Sequence, residues 1–155
     1  AAKALVVAIF SALLGLVTVT LTYLLSLPIL GDKAGSLSNP EYLGFFWGTA
    51  MAFAIIGLMA MSFGYILRST AGSISLVVVL LFVLLIPLGL AASKWEWVRY
   101  ITEVLPSSSA AAVADPYNLL ETPTKLDYGA VIASGYAWAI IPMIIAFFVF
   151  SKRDA

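Results

Sequence analysis

Residues 64–93 read GYILRSTAGSISLVVVLLFVLLIPLGLAAS, and Arg68 is the only charge among them. Twenty-five residues, Ser69 to Ser93, follow it without another charged side chain, and twenty-six, Tyr42 to Leu67, precede it. A hydrocarbon core about 30 Å thick is crossed by roughly 20 helical residues rising about 1.5 Å each. The arginine therefore joins two runs that are each long enough to span a bilayer. LVVVLLFVLLI (Leu76 to Ile86) has no polar residue at alternate positions, which excludes a strand of a membrane barrel.

The same reading outward finds two more uncharged runs, Ala4 to Leu30 and Tyr128 to Ser151. Composition agrees: 63% of the 155 residues are hydrophobic and 10% charged, where a soluble domain carries about 25% charge. The expected fold is all-α, one polytopic transmembrane domain over residues 1–155. Its four spans fall at about 4–28, 43–67, 70–93 and 129–151, with a linker at 94–127. The first run is too long for the apolar region of a cleaved signal, about 7–15 residues, and reads as a retained helix. The missing initiator Met leads to the expectation that the chain is a piece of something longer.

Four crossings put both termini and the Arg68 turn on one side. Lysines and arginines divide four and four: Lys3, Arg68, Lys152 and Arg153 against Lys33, Lys94, Arg99 and Lys125. Their number does not set the orientation, but Arg68 in a tight turn and a basic tail at a helix end favour the first side as cytoplasmic. Seven of the eight acidic residues fall on the second side. Arg68 reads first as a helix cap that snorkels to the headgroups and pins the turn. Contact with a cytosolic partner is the functional alternative.

The linker carries the most information. In KWEWVRYITEVLP, the residues Trp97, Val98, Ile101, Val104 and Leu105 recur at helical spacing and build one apolar face. Glu96, Arg99 and Glu103 fall away from it, spaced to pair with one another. Pro106 stops this helix, and SSSAAAVA then allows a second, with a serine N-cap and an end at Asp115-Pro116. Two helices too short to span would lie at the outer interface or dip into it, with Trp95, Trp97, Tyr100, Tyr42 and Trp47 in its aromatic belt. They would rest on lipid or form a lid over a pathway.

Candidate chemistry is sparse. The chain has no histidine, no cysteine and no GxxxxGK[ST] motif. Zinc, iron–sulfur and histidine-activated nucleophile chemistry lack their residues, as does P-loop nucleotide hydrolysis. No Asp, Glu, Lys or Arg lies within the spans, so proton relays, voltage sensing and carboxylate-based intramembrane proteolysis lack theirs. No catalytic, cofactor-binding or metal-binding residue is expected, and zero net charge gives no nucleic-acid footprint.

The spans do carry small and weakly polar residues. Ser11, Gly15, Thr18, Thr22 and Ser26 recur at helical spacing, either to pack or to line a pathway between subunits. Gly44 and Gly48 form a GxxxG, and Ala60/Gly64 and Gly129/Ala133/Ala137 repeat the small-residue pattern of close helix packing. Pro87 and Pro142 are placed to interrupt two helices.

The order of these features resembles the C-terminal two-thirds of an ABC transporter permease of the ABC-2 type. The resemblance rests on LMAMSFGYILRSTAGSISLVVVLLFVLLIPL, WVRYITEVLPSSSAAAV and a last helix ending FFVFSKRDA, and it covers essentially the whole chain. It implies that Arg68 to Gly72 is the cytoplasmic turn after the family's fourth helix. It also implies that Leu105-Pro106 breaks a pair of extracytoplasmic re-entrant helices, and that Lys152 to Ala155 is the family's basic tail. On this likeness the family's first two helices and its coupling loop would precede Ala1.

The function implied is that of a plasma-membrane exporter subunit. It would form half of a pathway, pairing with a second permease subunit as a homo- or heterodimer. A separate ATP-binding cassette ATPase would hydrolyse the ATP, so this chain needs no cofactor of its own. The alternative is a non-transporting four-helix membrane anchor or assembly subunit.

Overall fold

The computed structural model describes residues 2–31, 35 and 37–151, and the regular structure among them is helical throughout. In chain order the elements are α1 (Ala2–Leu30), α2 (Pro40–Leu67), α3 (Thr70–Ala92), α4 (Glu96–Val104), α5 (Pro106–Ala114) and α6 (Tyr128–Ser151). Among them α1, α2, α3 and α6 are long and apolar enough to cross a membrane, which identifies a membrane protein. Lys33 and the tail Lys152 to Ala155 lie outside the described residues.

The ends of these helices follow from short local signals. Asn39 caps α2 by accepting the Glu41 N–H at 3.0 Å, and Pro40 occupies its first helical position. At the other end Arg68 adopts the left-handed conformation, φ 53°, and its N–H closes on the Gly64 carbonyl. Ser69 then caps α3 by accepting the Gly72 N–H at 3.0 Å. Arg68 and Ser69 together make the whole connection between two spans.

In α3 the Leu84 N–H reaches back five residues to the Val79 carbonyl, forming a π turn over Val79–Val83. Pro87 explains its position. Proline offers no N–H to the Val83 carbonyl and its ring crowds that oxygen, and one widened turn just upstream relieves the clash. Pro142 does not interrupt α6, which runs helical past it, as α1 does past Pro28.

The central helix is α2. On one side α1 crosses it closely at Gly15, where a Cβ would come within 2.9 Å of the Ala50 Cα and the Thr49 carbonyl oxygen. On the other side Gly44, Gly48, Ala52, Ile55, Met59 and Ser62 form a buried stripe facing α5 and α6. The facing stripe of α6 is Val131, Gly135, Ala139, Pro142 and Ala146. This corrects the small-residue face read from Gly129, Ala133 and Ala137, of which Gly129 and Ala133 are exposed. Small residues occur on several sides of α6, so spacing alone does not select the packed one.

The core of the bundle joins Ala52 and Ile55 of α2, Ala110 and Val113 of α5 and Ala139 of α6. Elsewhere packing is open. The accessible surface is 9703 Å², where a compact soluble protein of 16.5 kDa exposes about 7,500 Å². Much of the excess is apolar: α1 exposes Leu5, Ile9, Leu13 and Val17, and the most apolar stretch of α3 buries no residue. Charge is segregated as well. The described acids Glu41, Glu96, Glu103, Asp115, Glu121 and Asp127 all belong to the end where α3 passes to α6, whereas Lys3 and Arg68 belong to the opposite end.

Candidate functional site

The break between α4 and α5 is one residue wide. Leu105 ends α4 and precedes α5 in an extended conformation, φ −60° and ψ 150°. The following proline dictates this, because its ring disfavours helical backbone in the residue before it. Pro106 then takes the first position of α5, where its missing N–H costs nothing. A serine N-cap is therefore not used: no side chain caps α5, and Ser109 instead donates its hydroxyl to the Leu105 carbonyl at 2.8 Å.

The break is deeply embedded. Leu105 and Pro106 are buried, and Ser109 and Val113 are almost fully so. At Gly48 an added Cβ would lie 2.5 Å from the Val113 oxygen and 2.7 Å from that of Ala114. At Gly135 it would lie 3.0 Å from Val113 and 3.2 Å from the Ser109 carbonyl oxygen. The two glycines therefore let α5 wedge between α2 and α6. Gly44 continues the seat, against the Tyr117 ring and Pro116.

Two α6 side chains hold the wedge at both ends. The Trp138 indole N–H donates to the Val104 carbonyl at 2.7 Å, serving the last carbonyl of α4 where the bend removes it from any helical ladder. The Tyr128 hydroxyl donates to the Asp115 carbonyl at 2.7 Å, just past the end of α5. Tyr128 and Trp138 stand about 15 Å apart along the axis of α6. The Leu105-Pro106 break thus lies nearly midway along a helix of 24 residues.

The segment after α5 folds back over this pair. The buried Asp115 carboxylate accepts the N–H groups of Leu119 and Leu120 at 3.0 and 2.9 Å. Glu103 accepts those of Lys125 and Leu126 at 2.7 and 2.8 Å. Glu96 pairs with Lys125, Oε1 to Nζ 3.6 Å, and Arg99 has no ion pair among the described residues. Pairing within α4 gives way because the returning linker brings a cation and two free N–H groups to its acidic face. Beneath the linker lies a cavity of about 370 Å³ of mixed lining, with Arg99, Glu103, Asp115 and Tyr128 beside Ala112, Leu120 and Val131. The α4 face itself divides: Val98 and Leu105 turn inward, while Trp97 and Ile101 remain exposed.

The other sequence-derived candidates lie apart from this site. Gly15 is buried against α2 and Ser11 and Ser26 are half-buried, but Thr18 and Thr22 point outward. Their hydroxyls donate at 2.8 Å to the carbonyls four residues back, Leu14 and Thr18. The stripe thus splits between a packed face and its edge. Arg68 lies at the opposite end of the bundle, lining a second cleft. Sequence reasoning missed Trp138, Tyr128, Glu103 and Asp115 as organising residues. For Trp138 a signal existed: a tryptophan deep in a span must find an acceptor for its N–H.

Comparison of the chain with protein-family models, with curated proteins and with solved structures gave no match in any of the three.

Proposed function

We propose that this chain is a transport subunit of a membrane complex. More particularly, we propose the transmembrane permease subunit of an ATP-binding cassette exporter of the ABC-2 type, forming half of a translocation pathway. A separate ATPase subunit would drive it, and a second permease subunit would complete the pathway. The observation that carries the reading is the helix break at Leu105-Pro106, which Trp138 holds nearly midway along α6. Non-helical backbone at membrane depth is tolerated where protein buries it or where it lines a cavity, as in the broken helices of transporters. A plain anchor has no need of such a break.

On this reading α4 and α5 are re-entrant from the extracytoplasmic side, the protein resides in the plasma membrane, and both termini are cytoplasmic. The unburied surfaces of α1 and α3 supply area for the second subunit and the ATPase-linked assembly. The Thr18 and Thr22 edge of α1 faces outward, where a pathway between subunits would run.

The test is affinity isolation of the native gene product, tagged at its C-terminus and extracted in mild detergent. A stoichiometric nucleotide-hydrolysing chain in the eluate supports the exporter. Its absence, also after crosslinking, favours the membrane anchor.

A further inference from the structure

At the end of the bundle remote from the α4–α5 pair, α2, α3 and α6 line an open cleft of about 560 Å³, within the size range of ligand sites. Its apolar lining includes Ala60, Met61 and the Phe150 ring, which meets the Tyr65 ring edge-on at 6.3 Å. Arg68, Thr70 and Tyr65 line it as well. The guanidinium of Arg68, the Tyr65 hydroxyl and the Thr70 hydroxyl have no hydrogen-bond or ion-pair partner among the described residues. No described acid belongs to this end.

A cation and two hydroxyls with no partner among the described residues, lining one cleft with apolar side chains where three spans end, suit a ligand with an anionic head and an apolar tail. We propose that this cleft holds an anionic phospholipid, its phosphate on Arg68, Tyr65 and Thr70 and its acyl chain along α6. Arg68 supplies the charge. Its guanidinium can present two donors to a phosphate at once, a fit that lysine gives less well. The acyl chain finds continuous apolar surface on α6, where Phe147, Phe148 and Phe150 are exposed. The membrane headgroup layer supplies this ligand at the level of the cleft, and one face of many membranes is rich in anionic lipid. The proposal depends on the membrane fold and is independent of whether the chain transports anything.

The test uses the full chain, delipidated in neutral detergent. It is titrated separately with dioctanoyl phosphatidylglycerol, dioctanoyl phosphatidylcholine and inorganic phosphate, with occupancy read by native mass spectrometry. Phosphatidylglycerol is expected to bind one site about tenfold more tightly than phosphatidylcholine, as one charge-assisted contact implies. Arg68→Gly should abolish that preference, and Arg68→Lys should keep most of it. Glycine suits the left-handed backbone at this position, so the first variant removes the side chain without straining the turn. Tyr65→Phe, which keeps the ring against Phe150, should weaken binding about threefold and does not touch the turn. Equal binding of the two lipids, or a preference that survives Arg68→Gly, overturns the proposal. So does displacement of the lipid by an equal concentration of inorganic phosphate, which would mark a general anion site.

Discussion

Trp138 and Val104 are 34 residues apart in the chain, yet the indole N–H of one lies 2.7 Å from the carbonyl oxygen of the other. This bond couples the depth of the α4–α5 break to α6. Trp138→Phe keeps the ring and leaves the Val104 carbonyl without a donor. Leaving a fully buried acceptor unsatisfied costs about 1–3 kcal/mol, and this part-buried one belongs at the lower end. Thermal unfolding in detergent should show a clear fall in Tm for Trp138→Phe and almost none for Trp47→Phe, a residue 45% exposed. Equal effects from the two would remove the bond from any organising role.

Gly48 is a seat for α5 that cannot give way, because the atoms facing it are backbone. Gly48→Ala drives a methyl group toward the Val113 and Ala114 carbonyls, and neither can turn aside. A loss of about 1–3 kcal/mol is expected, as for other overpacked sites. Gly89→Ala is the opposite case, since nothing lies within 4 Å of its would-be Cβ. It should stabilise α3 by about 0.5–1 kcal/mol, through helix propensity alone. Paired melting curves of the two variants would read both signs.

Asp115→Asn tests the fold-back of the linker. The carboxylate uses both oxygens on two N–H groups, whereas an amide offers one acceptor and turns a donor toward the other. Hydrogen exchange at Leu119 and Leu120 should accelerate by about tenfold or more, with the α2 and α6 amides unchanged. Unaltered exchange would mean that the linker is held from elsewhere.

Thr18→Leu and Thr22→Leu separate packing from passage. Both hydroxyls are satisfied within α1 and neither side chain is buried, so membrane abundance should stay within about 0.5 kcal/mol of native stability. Under the permease reading, export by the assembled complex should fall. Abundance falling in step with export would assign these residues to packing.

Orientation is open to direct labelling, since the chain has no native cysteine. Leu120→Cys, at a position 72% exposed in the linker, should react with an impermeant maleimide in intact cells. Ser69→Cys should react only after permeabilisation. The reverse result would invert the topology.

The four spans were legible because charge, which lipid excludes, punctuates the chain, and marking charges recovers Thr70–Ala92 within a residue. What remained hidden is which side of each span packs. A soluble helix declares its buried side by contrast with polar residues, but α2 and α6 are apolar all round. Small residues then mark several possible seams, and on α6 the seam used runs through Gly135 instead of Gly129. The bonds of Trp138 to Val104 and of Glu103 to Lys125 and Leu126 span 34, 22 and 23 residues, beyond any local pattern. Of the site, Leu105-Pro106 was readable from proline chemistry, and its supports on α6 were not.

The segregation of charge between the two ends of the bundle makes the molecule an electrical dipole. Among the described residues, the acids Glu41, Glu96, Glu103, Asp115, Glu121 and Asp127 outweigh Lys94, Arg99 and Lys125 at the linker end, and Lys3 and Arg68 face no described acid at the other. Each unit of charge carried across a membrane potential of about 100 mV is worth about 2.3 kcal/mol. Under the permease reading, which puts the Arg68 end in the cytoplasm, an inside-negative potential would pull both ends toward their own sides. An energised membrane would thereby hold this chain upright, and collapse of the potential would withdraw that support without altering a single contact in the fold.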